Sequence, residues 1–216
     1  MHPKSLKMEF NDKQLQIIET AEKLFADKGY KGTSVRDIAE EAGINVAMIS
    51  YYFGSKEQLM EAIFEIRIGT VQMRIEDLLK DDSLTPLQKI NMLIDEHVER
   101  VAQKECFYKI MITEQLINKN PAVLHAANQL KMRNAELVGQ LIKDGQKKGA
   151  FKKKVDLILM LNSLVGTVWQ TWINKEYYRE FNNLQSLSDE EFNTLLKRKI
   201  SVHIKSLFKE LLTNEA

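Results

Sequence analysis

The sequence is short of the residues that interrupt regular secondary structure. It has nine glycines and three prolines among 216 residues, roughly half the share of an average chain. Because tight turns depend on glycine for a positive φ and on proline for a fixed φ, this shortage argues against an all-β fold. Residues 29–54 contain four glycines, whereas residues 70–138 contain none. The sequence therefore predicts an all-α protein with short helices first and long helices after them.

The chain also has little cysteine, few long apolar runs and almost no net charge. A single Cys106 excludes a disulfide framework and an all-cysteine metal cluster, and no metal or cofactor is expected. No apolar run follows Met1, so no signal peptide is predicted and a cytoplasmic protein is expected. The uncharged run 157–174 contains several polar residues, which favours a buried or interface helix over a membrane span of about 20 apolar residues. The net charge of +1 implies no strong overall attraction to nucleic acid or membrane.

Apolar residues recur at helical spacing along most of the chain. In residues 14–28, for example, Ile17, Ile18, Ala21, Leu24 and Phe25 share one face. The polar stretch 175–188 is predicted to lie between helices. Taken with the capping residues and glycines, the pattern predicts helices at about 14–28, 34–42, 46–52, 56–80, 86–103, 105–117, 121–148, 155–174 and 189–213.

Three small or apolar residues stand at the spacing of a helix-turn-helix. Ala39 permits two helices to cross closely, Gly43 takes the turn conformation, and Ile49 fixes the second helix on the first. Such a unit places its second helix in the major groove of DNA. An ordinary helical hairpin fits these three positions equally well.

The residues around this unit favour the DNA-binding interpretation. Residues 17–64 resemble the N-terminal DNA-binding domain of the tetracycline-repressor (TetR) family. The specific matches are A-x-x-L-F-x-x-x-G-Y at 21–30, T-S-V-R-D-I-A at 33–39, A-G-I at 42–44 and Y-Y-F-x-S-K-E at 51–57. The resemblance implies a DNA-binding domain at 1–56, with its helix-turn-helix core at 34–54, and a helical effector-binding and dimerisation domain at 57–216. It also implies a homodimeric transcriptional repressor, released from a palindromic operator by a small molecule of unknown identity.

The same resemblance indicates which residues contact DNA. It assigns Thr33, Ser34 and Lys56 to the DNA backbone and Arg36 to the backbone or to base edges. The chain departs from the family at three positions that commonly carry Lys, Gly and Tyr, because it has Val46, Ala47 and Ser50 there. Residues 1–56 carry no net charge, so few phosphate contacts and a modest salt dependence are expected. The remaining contacts are expected on the recognition helix, from Asn45, Val46, Ala47, Ser50, Tyr51 and Tyr52.

The C-terminal part resembles the family only in its helical layout. By analogy, its last two long helices would form the dimer interface, with Gly166, Leu196, Ile200, His203 and Leu207 as candidate contacts. The analogy also implies an effector pocket, whose candidate residues are Phe107, Met111, Glu114, His125, Asn128, Trp169 and Trp172. Residues of these types at helical spacing fit a plain core as well.

No enzyme is expected, because the chain lacks the nucleophile-elbow, zinc-protease and phosphate-loop motifs. A DNA-binding architectural or interaction protein of the same fold, with no small-molecule effector, remains the alternative.

Overall fold

A computed structural model describes residues 10–118 and 121–213, and every regular element in these ranges is helical. The predicted all-α class is confirmed. A π-helical turn, Glu114–Asn118, follows the sixth helix. The helices are α1 Asp12–Gly32, α2 Val35–Glu41, α3 Val46–Phe53, α4 Lys56–Lys80, α5 Pro86–Gln103, α6 Glu105–Thr113, α7 Pro121–Lys147, α8 Leu157–Ile173, α9 Lys175–Phe181 and α10 Asp189–Leu212.

The helices form two compact units, which we call the head and the body. The head comprises residues 1–69 and 106–128, and the body comprises residues 70–105 and 129–216. The division falls inside α4, α6 and α7 rather than in the loops between helices.

The head is built around a continuous apolar core. Ile17, Ile38, Ile49 and Ile63 are each no more than 1% exposed, and they come from four different helices. The rings of Phe64 and Phe107 meet edge to face at 5.0 Å, so α6 belongs to this core as well. Burying each such side chain contributes about 1.5–3 kcal/mol. The core therefore holds α2 and α3 in a fixed relation to α1 and α4.

The body has α5 packed against both α8 and α10. Ile94 and Val98 of α5 are buried, as are Val168 of α8 and Ile204 of α10. At the rim of this core, Lys197 pairs with Glu99 at 2.9 Å.

The structure differs from the predicted helices at 175–188 and 105–117. The first stretch, predicted to lie between helices, contains α9, which Arg179 ties to the following segment. Its Nη1 donates to Asp189 at 2.8 Å, and its guanidinium lies 4.7 Å from the ring centre of Phe192. These contacts join residues about ten positions apart, which local periodicity does not show. The second stretch is α-helical only to Thr113 and then becomes the π-helical turn.

Within the described ranges, no helix has the length and apolar character needed to cross a membrane. Helix α8, which covers the uncharged run, is packed in the body.

Candidate nucleic-acid interface

Helix α2 begins with a reciprocal cap. The Ser34 hydroxyl accepts from the backbone N–H of Asp37, and the Asp37 carboxylate accepts from the backbone N–H of Ser34 at 2.7 Å. The backbone N–H and then the hydroxyl of Ser34 lower the pKa of Asp37. The cap fixes the first turn of α2, which carries the exposed side chain of Arg36.

The turn between α2 and α3 has the predicted geometry. Gly43 has a φ of 62°, a conformation that side chains with a Cβ rarely adopt. The N–H of Ile44 donates to the carbonyl of Ala39 at 2.9 Å, which closes the turn. Ala39 and Ile49 are buried, as their assigned mechanical roles require. The helix-turn-helix is confirmed, with Asn45 capping α3 through Ala47 N–H at 2.8 Å.

Helix α3 presents an uncharged face to solvent. Tyr51 is 83% exposed and Val46 is 41% exposed. Asn45, Ala47 and Ser50 are also exposed. This face offers hydroxyl and amide groups for hydrogen bonds to base edges, and methyl groups for contact with thymine. Five of the six predicted contact positions on the recognition segment therefore lie on one accessible surface.

The sixth position, Tyr52, is only half-buried and belongs to an aromatic row. Its ring lies 5.1 Å from that of Tyr51 and 6.4 Å from that of Phe53. Tyr52 therefore also supports the exposed ring of Tyr51 from within the head.

Thr33 has a different position from the one that the resemblance implies. Its side chain is buried, at 1% exposure. The hydroxyl donates to the carbonyls of Gly29, at 2.9 Å, and Leu24, at 3.2 Å. These carbonyls lie at the end of α1, where Gly29 leaves helical geometry and frees backbone acceptors. In this conformation Thr33 closes α1 and does not offer its hydroxyl to a phosphate.

Lys56 is likewise engaged within the head. Its Nζ donates to the carbonyls of Tyr30 and Thr33, each at 3.0 Å, and lies 4.2 Å from the centre of the Tyr30 ring. The Tyr30 hydroxyl donates to Glu57 at 2.9 Å. Burial, followed by this carboxylate, raises the pKa of Tyr30, so the phenol keeps its proton.

Residues Tyr30, Thr33, Lys56 and Glu57 thus form what we call the brace, which joins the end of α1 to the start of α4. No sequence pattern predicted the brace. Its members lie inside three of the quoted motifs: G-Y at 29–30, T-S-V-R-D-I-A at 33–39 and S-K-E at 55–57. The motifs are separated in the sequence, and no local pattern shows that their side chains meet in the fold.

The candidate effector residues fall into both units. In the head, Phe107 is part of the core and Glu114 is buried, whereas His125 and Asn128 are exposed. Met111 packs half-buried against that core.

In the body, Trp169 is half-buried and Trp172 is buried. The indole N–H of Trp172 donates to Glu105 at 3.0 Å, and Lys175 lies over the ring at 5.0 Å. An open depression of about 420 Å³ lies on α10 and is lined by Glu190, Glu191, Thr194, Leu195 and Arg198. It is a surface feature of one helix, unlike an enclosed effector cavity.

The candidate dimer residues divide by exposure. Gly166 and His203 are exposed and Leu207 is half-buried. Leu196 and Ile200, at 0% and 4% exposure, belong to the core of the body instead. They are buried on a helix that packs against both α5 and α8.

Comparisons with known proteins agree with this geometry. Residues 17–63 match the model of bacterial regulatory proteins of the tetR family, and residues 64–198 match that of the C-terminal region of YsiA-like proteins. The transcriptional repressor KstR2 of Mycolicibacterium smegmatis is 27% identical over 76% of this chain and 78% of its own.

Two solved structures share the fold. FadR of Bacillus subtilis, in complex with stearoyl-CoA, has a TM-score of 0.62 and 22% identity over 89% of this chain and 97% of its own. The ketosteroid regulator KstR2 of Mycobacterium tuberculosis has a TM-score of 0.68 and 20% identity over 96% and 98%. With both family models matched in order along most of its length, the chain belongs to the TetR family of bacterial transcriptional regulators.

Proposed function

We propose that this regulator is a repressor that binds a palindromic operator as a homodimer and leaves it when a small molecule binds. The proposal is carried by one observation: α3 exposes an uncharged face, while the inward residues of the helix-turn-helix are buried in the core of the head. It acts by binding rather than by catalysis, in the cytoplasm where bacterial DNA is found. DNA binding is assigned to residues 1–56, and effector binding and dimerisation to residues 57–216.

The DNA contacts are assigned to two groups of exposed residues. Ser34 and Arg36 lie at the start of α2, where backbone N–H groups and a positive side chain suit a phosphate or a guanine edge. The second group, on the segment that enters the major groove, comprises Asn45, Val46, Ala47, Ser50 and Tyr51.

The dimer surface is assigned to the exposed sides of α8 and α10. Leu159, Val165 and Ile173 of α8 are exposed large apolar side chains, as is Val202 of α10. Clustered exposed apolar residues mark association surfaces in soluble proteins. A two-fold dimer presents two recognition helices, which is why the operator is expected to be palindromic.

The effector is proposed to have a large apolar body. FadR of Bacillus subtilis was solved with stearoyl-CoA, and KstR2 is described as a ketosteroid regulator. An acyl chain and a steroid share extensive apolar surface. The body offers buried apolar side chains and the two tryptophans of α8 to such a ligand.

One experiment tests the proposal from operator to effector. The operator is selected from random DNA with the purified protein, and binding is measured for wild type, Tyr51→Ala and Arg36→Ala. We expect a palindromic site, and a loss of about 1–3 kcal/mol for a residue that contacts a base. The matched control is Tyr177→Ala, which removes another exposed tyrosine, from α9 in the body. Equal affinity for all four proteins would remove α3 and Arg36 from the interface.

The second half of the experiment distinguishes this repressor from the alternative, a DNA-binding protein without an effector. Acyl and steroid compounds are added to the operator complex. Release of DNA by a compound that binds the protein directly supports the repressor, because the ligand must favour the form with lower DNA affinity. Operator binding that no compound changes, by a protein that binds none of them, supports the alternative.

A further inference from the structure

The DNA contacts proposed for this chain carry little positive charge. Helix α3 has no charged residue, so Arg36 is the one cation among the proposed contacts. Thr33 and Lys56, which the family resemblance places at the DNA backbone, are held in the brace instead. Sequence-independent affinity for DNA comes mainly from cations that neutralise phosphates. Other positive side chains of the head are therefore needed at the backbone.

The stretch that leads into α2, residues 28–36, is locally basic, and we call it the basic segment. It contains Lys28, Lys31 and Arg36 and no aspartate or glutamate. The zero net charge of residues 1–56 conceals the basic segment, because the acids lie before and after it. The first acid after it, Asp37, has its carboxylate engaged with the backbone N–H of Ser34 at 2.7 Å.

The brace fixes the basic segment through its uncharged residues. The carbonyls of Tyr30 and Thr33 each accept from Nζ of Lys56 at 3.0 Å, and the side chain of Thr33 is buried. Lys28 and Lys31 are exposed, and neither forms an ion pair with another residue that the structure describes. The backbone of the basic segment is thus held in place while its two lysines stay accessible.

Both lysines lie close to the start of α2. A Cβ added at Gly32 would be 3.8 Å from the Cβ of Lys28. After the backbone N–H and the hydroxyl of Ser34, the positive charge of Lys28 also lowers the pKa of Asp37, the third residue of α2. Lys31 precedes Ser34, the N-cap of α2, by three residues. Because the first helix of a helix-turn-helix crosses the DNA backbone, cations at the start of α2 are suited to phosphates.

We propose that Lys28 and Lys31 bind phosphates of the operator backbone and replace the contacts that the brace withdraws from Thr33 and Lys56. This inference rests on the proposed DNA contacts of α2 and α3, and it adds two positive side chains from the end of α1. A lysine ammonium is a compact charge with three donors, which can bind a phosphate without reading a base. The two lysines therefore contribute affinity rather than sequence preference.

The test measures DNA affinity against salt concentration for the full-length protein. The probes are the selected operator and a DNA of the same length with a scrambled sequence, and the variants are Lys28→Gln, Lys31→Gln and the two combined. For each lysine replaced, we expect the slope of log K against log salt to fall by about 1 per half-site. The double variant should lose roughly tenfold or more in affinity, by a similar factor for both DNAs.

Two controls locate the effect. Lys23→Gln removes another exposed lysine of α1 and should leave both affinity and slope unchanged. The double variant Lys28→Arg and Lys31→Arg keeps both charges, so it should bind both DNAs as wild type does. Because both lysines are exposed, thermal unfolding of the glutamine variants should match wild type, which separates a lost contact from lost folding.

Three outcomes would overturn the inference. The first is wild-type affinity and slope in the double glutamine variant; a loss in Tyr51→Ala would then leave the proposed DNA-binding surface standing. The second is an equal loss in Lys23→Gln, which would make the effect one of overall charge. The third is a loss for the operator but not for the scrambled DNA, which would make the lysines base contacts. A loss in the double variant beside unchanged binding by Tyr51→Ala would support the lysine contacts and contradict the proposed face of α3.

Discussion

The head and the body differ in how their helices are specified. The helices that form the DNA-binding surface are short, and local signals mark their ends: Ser34 caps α2, Gly43 makes the turn and Asn45 caps α3. The long helices of the body depend on contacts between distant residues, such as Lys197 with Glu99. Thr85, Asp156 and Ser188 cap α5, α8 and α10 of the body in the same way, but these caps lie far apart in the sequence. The head is recognisable from a short stretch because its caps and its turn follow one another closely, whereas the caps of the body do not show which helices meet.

The difference has a consequence for function. A DNA-binding surface requires a fixed backbone, and the head provides it with caps, a tight turn and a dense core. A ligand site tolerates a wider range of sequences, because any apolar lining with a few polar groups can suit some ligand. Members of one family can therefore share the head while their bodies diverge.

The largest expected effect comes from the core residue that holds α3. Ile49→Ala should destabilise the protein by about 2–5 kcal/mol, because a buried isoleucine leaves a cavity. Ile94→Ala is the matched change in the body, where the isoleucine is equally buried. We expect similar losses of unfolding free energy in urea, but a loss of operator affinity in the folded protein only for Ile49→Ala. An equal loss of operator affinity in both variants would contradict the special role of the head.

The next effect concerns pH and the body. The folded pKa of His97 is about 3, below its usual 6.5. Between these values the unfolded chain binds one more proton, so this group makes stability fall as the pH decreases, by about 1.4 kcal/mol per unit. Carboxylates also titrate in this range. The free energy of unfolding is therefore measured against pH for wild type and for His97→Gln, and the difference between the two curves gives the contribution of His97. Parallel curves for the two proteins between pH 6.5 and 4 would show that His97 is not held neutral.

Lys56 distinguishes a structural role from a DNA contact. As part of the brace, it satisfies two carbonyls, and Lys56→Met should cost about 1–3 kcal/mol of stability. If Lys56 also binds a phosphate, the slope of log K against log salt for operator binding should fall by about 1. Thermal unfolding and a salt titration of the same variant separate the two roles. Unchanged stability with a reduced slope would make Lys56 a DNA contact alone.

A substitution at Gly166 is expected to change stability least, but it tests the dimer surface directly. A Cβ added at Gly166 meets nothing within 4 Å inside the chain, so Gly166→Leu should raise the stability of the single chain by up to about 1 kcal/mol through helix propensity. At a dimer contact the new side chain would clash with the partner. Sedimentation should then show weaker dimerisation, whereas Gly69→Leu, another helical glycine with open space, should leave it unchanged. Undiminished dimerisation of Gly166→Leu would place the dimer surface elsewhere.

The fold class could be predicted from residue patterns, and the helix-turn-helix and most of the accessible contact face from the motifs that resemble the TetR family. These features depend on periodicity, capping and glycine placement, which act over one or two turns of helix. The all-α class followed from the scarcity of glycine and proline. The spacing of Ala39, Gly43 and Ile49 fits an ordinary hairpin equally well, and the motifs around it identified the helix-turn-helix.

Which side of each helix is buried or exposed followed only from the packing of the helices. Thr33 and Lys56 were expected at the DNA backbone, yet the end of α1 draws both into the brace. Leu196 and Ile200 belong to a helix that also carries exposed apolar residues, and only its packing in the body shows that these two lie in the core. Each case depends on residues far apart in the chain, for which local spacing carries no information.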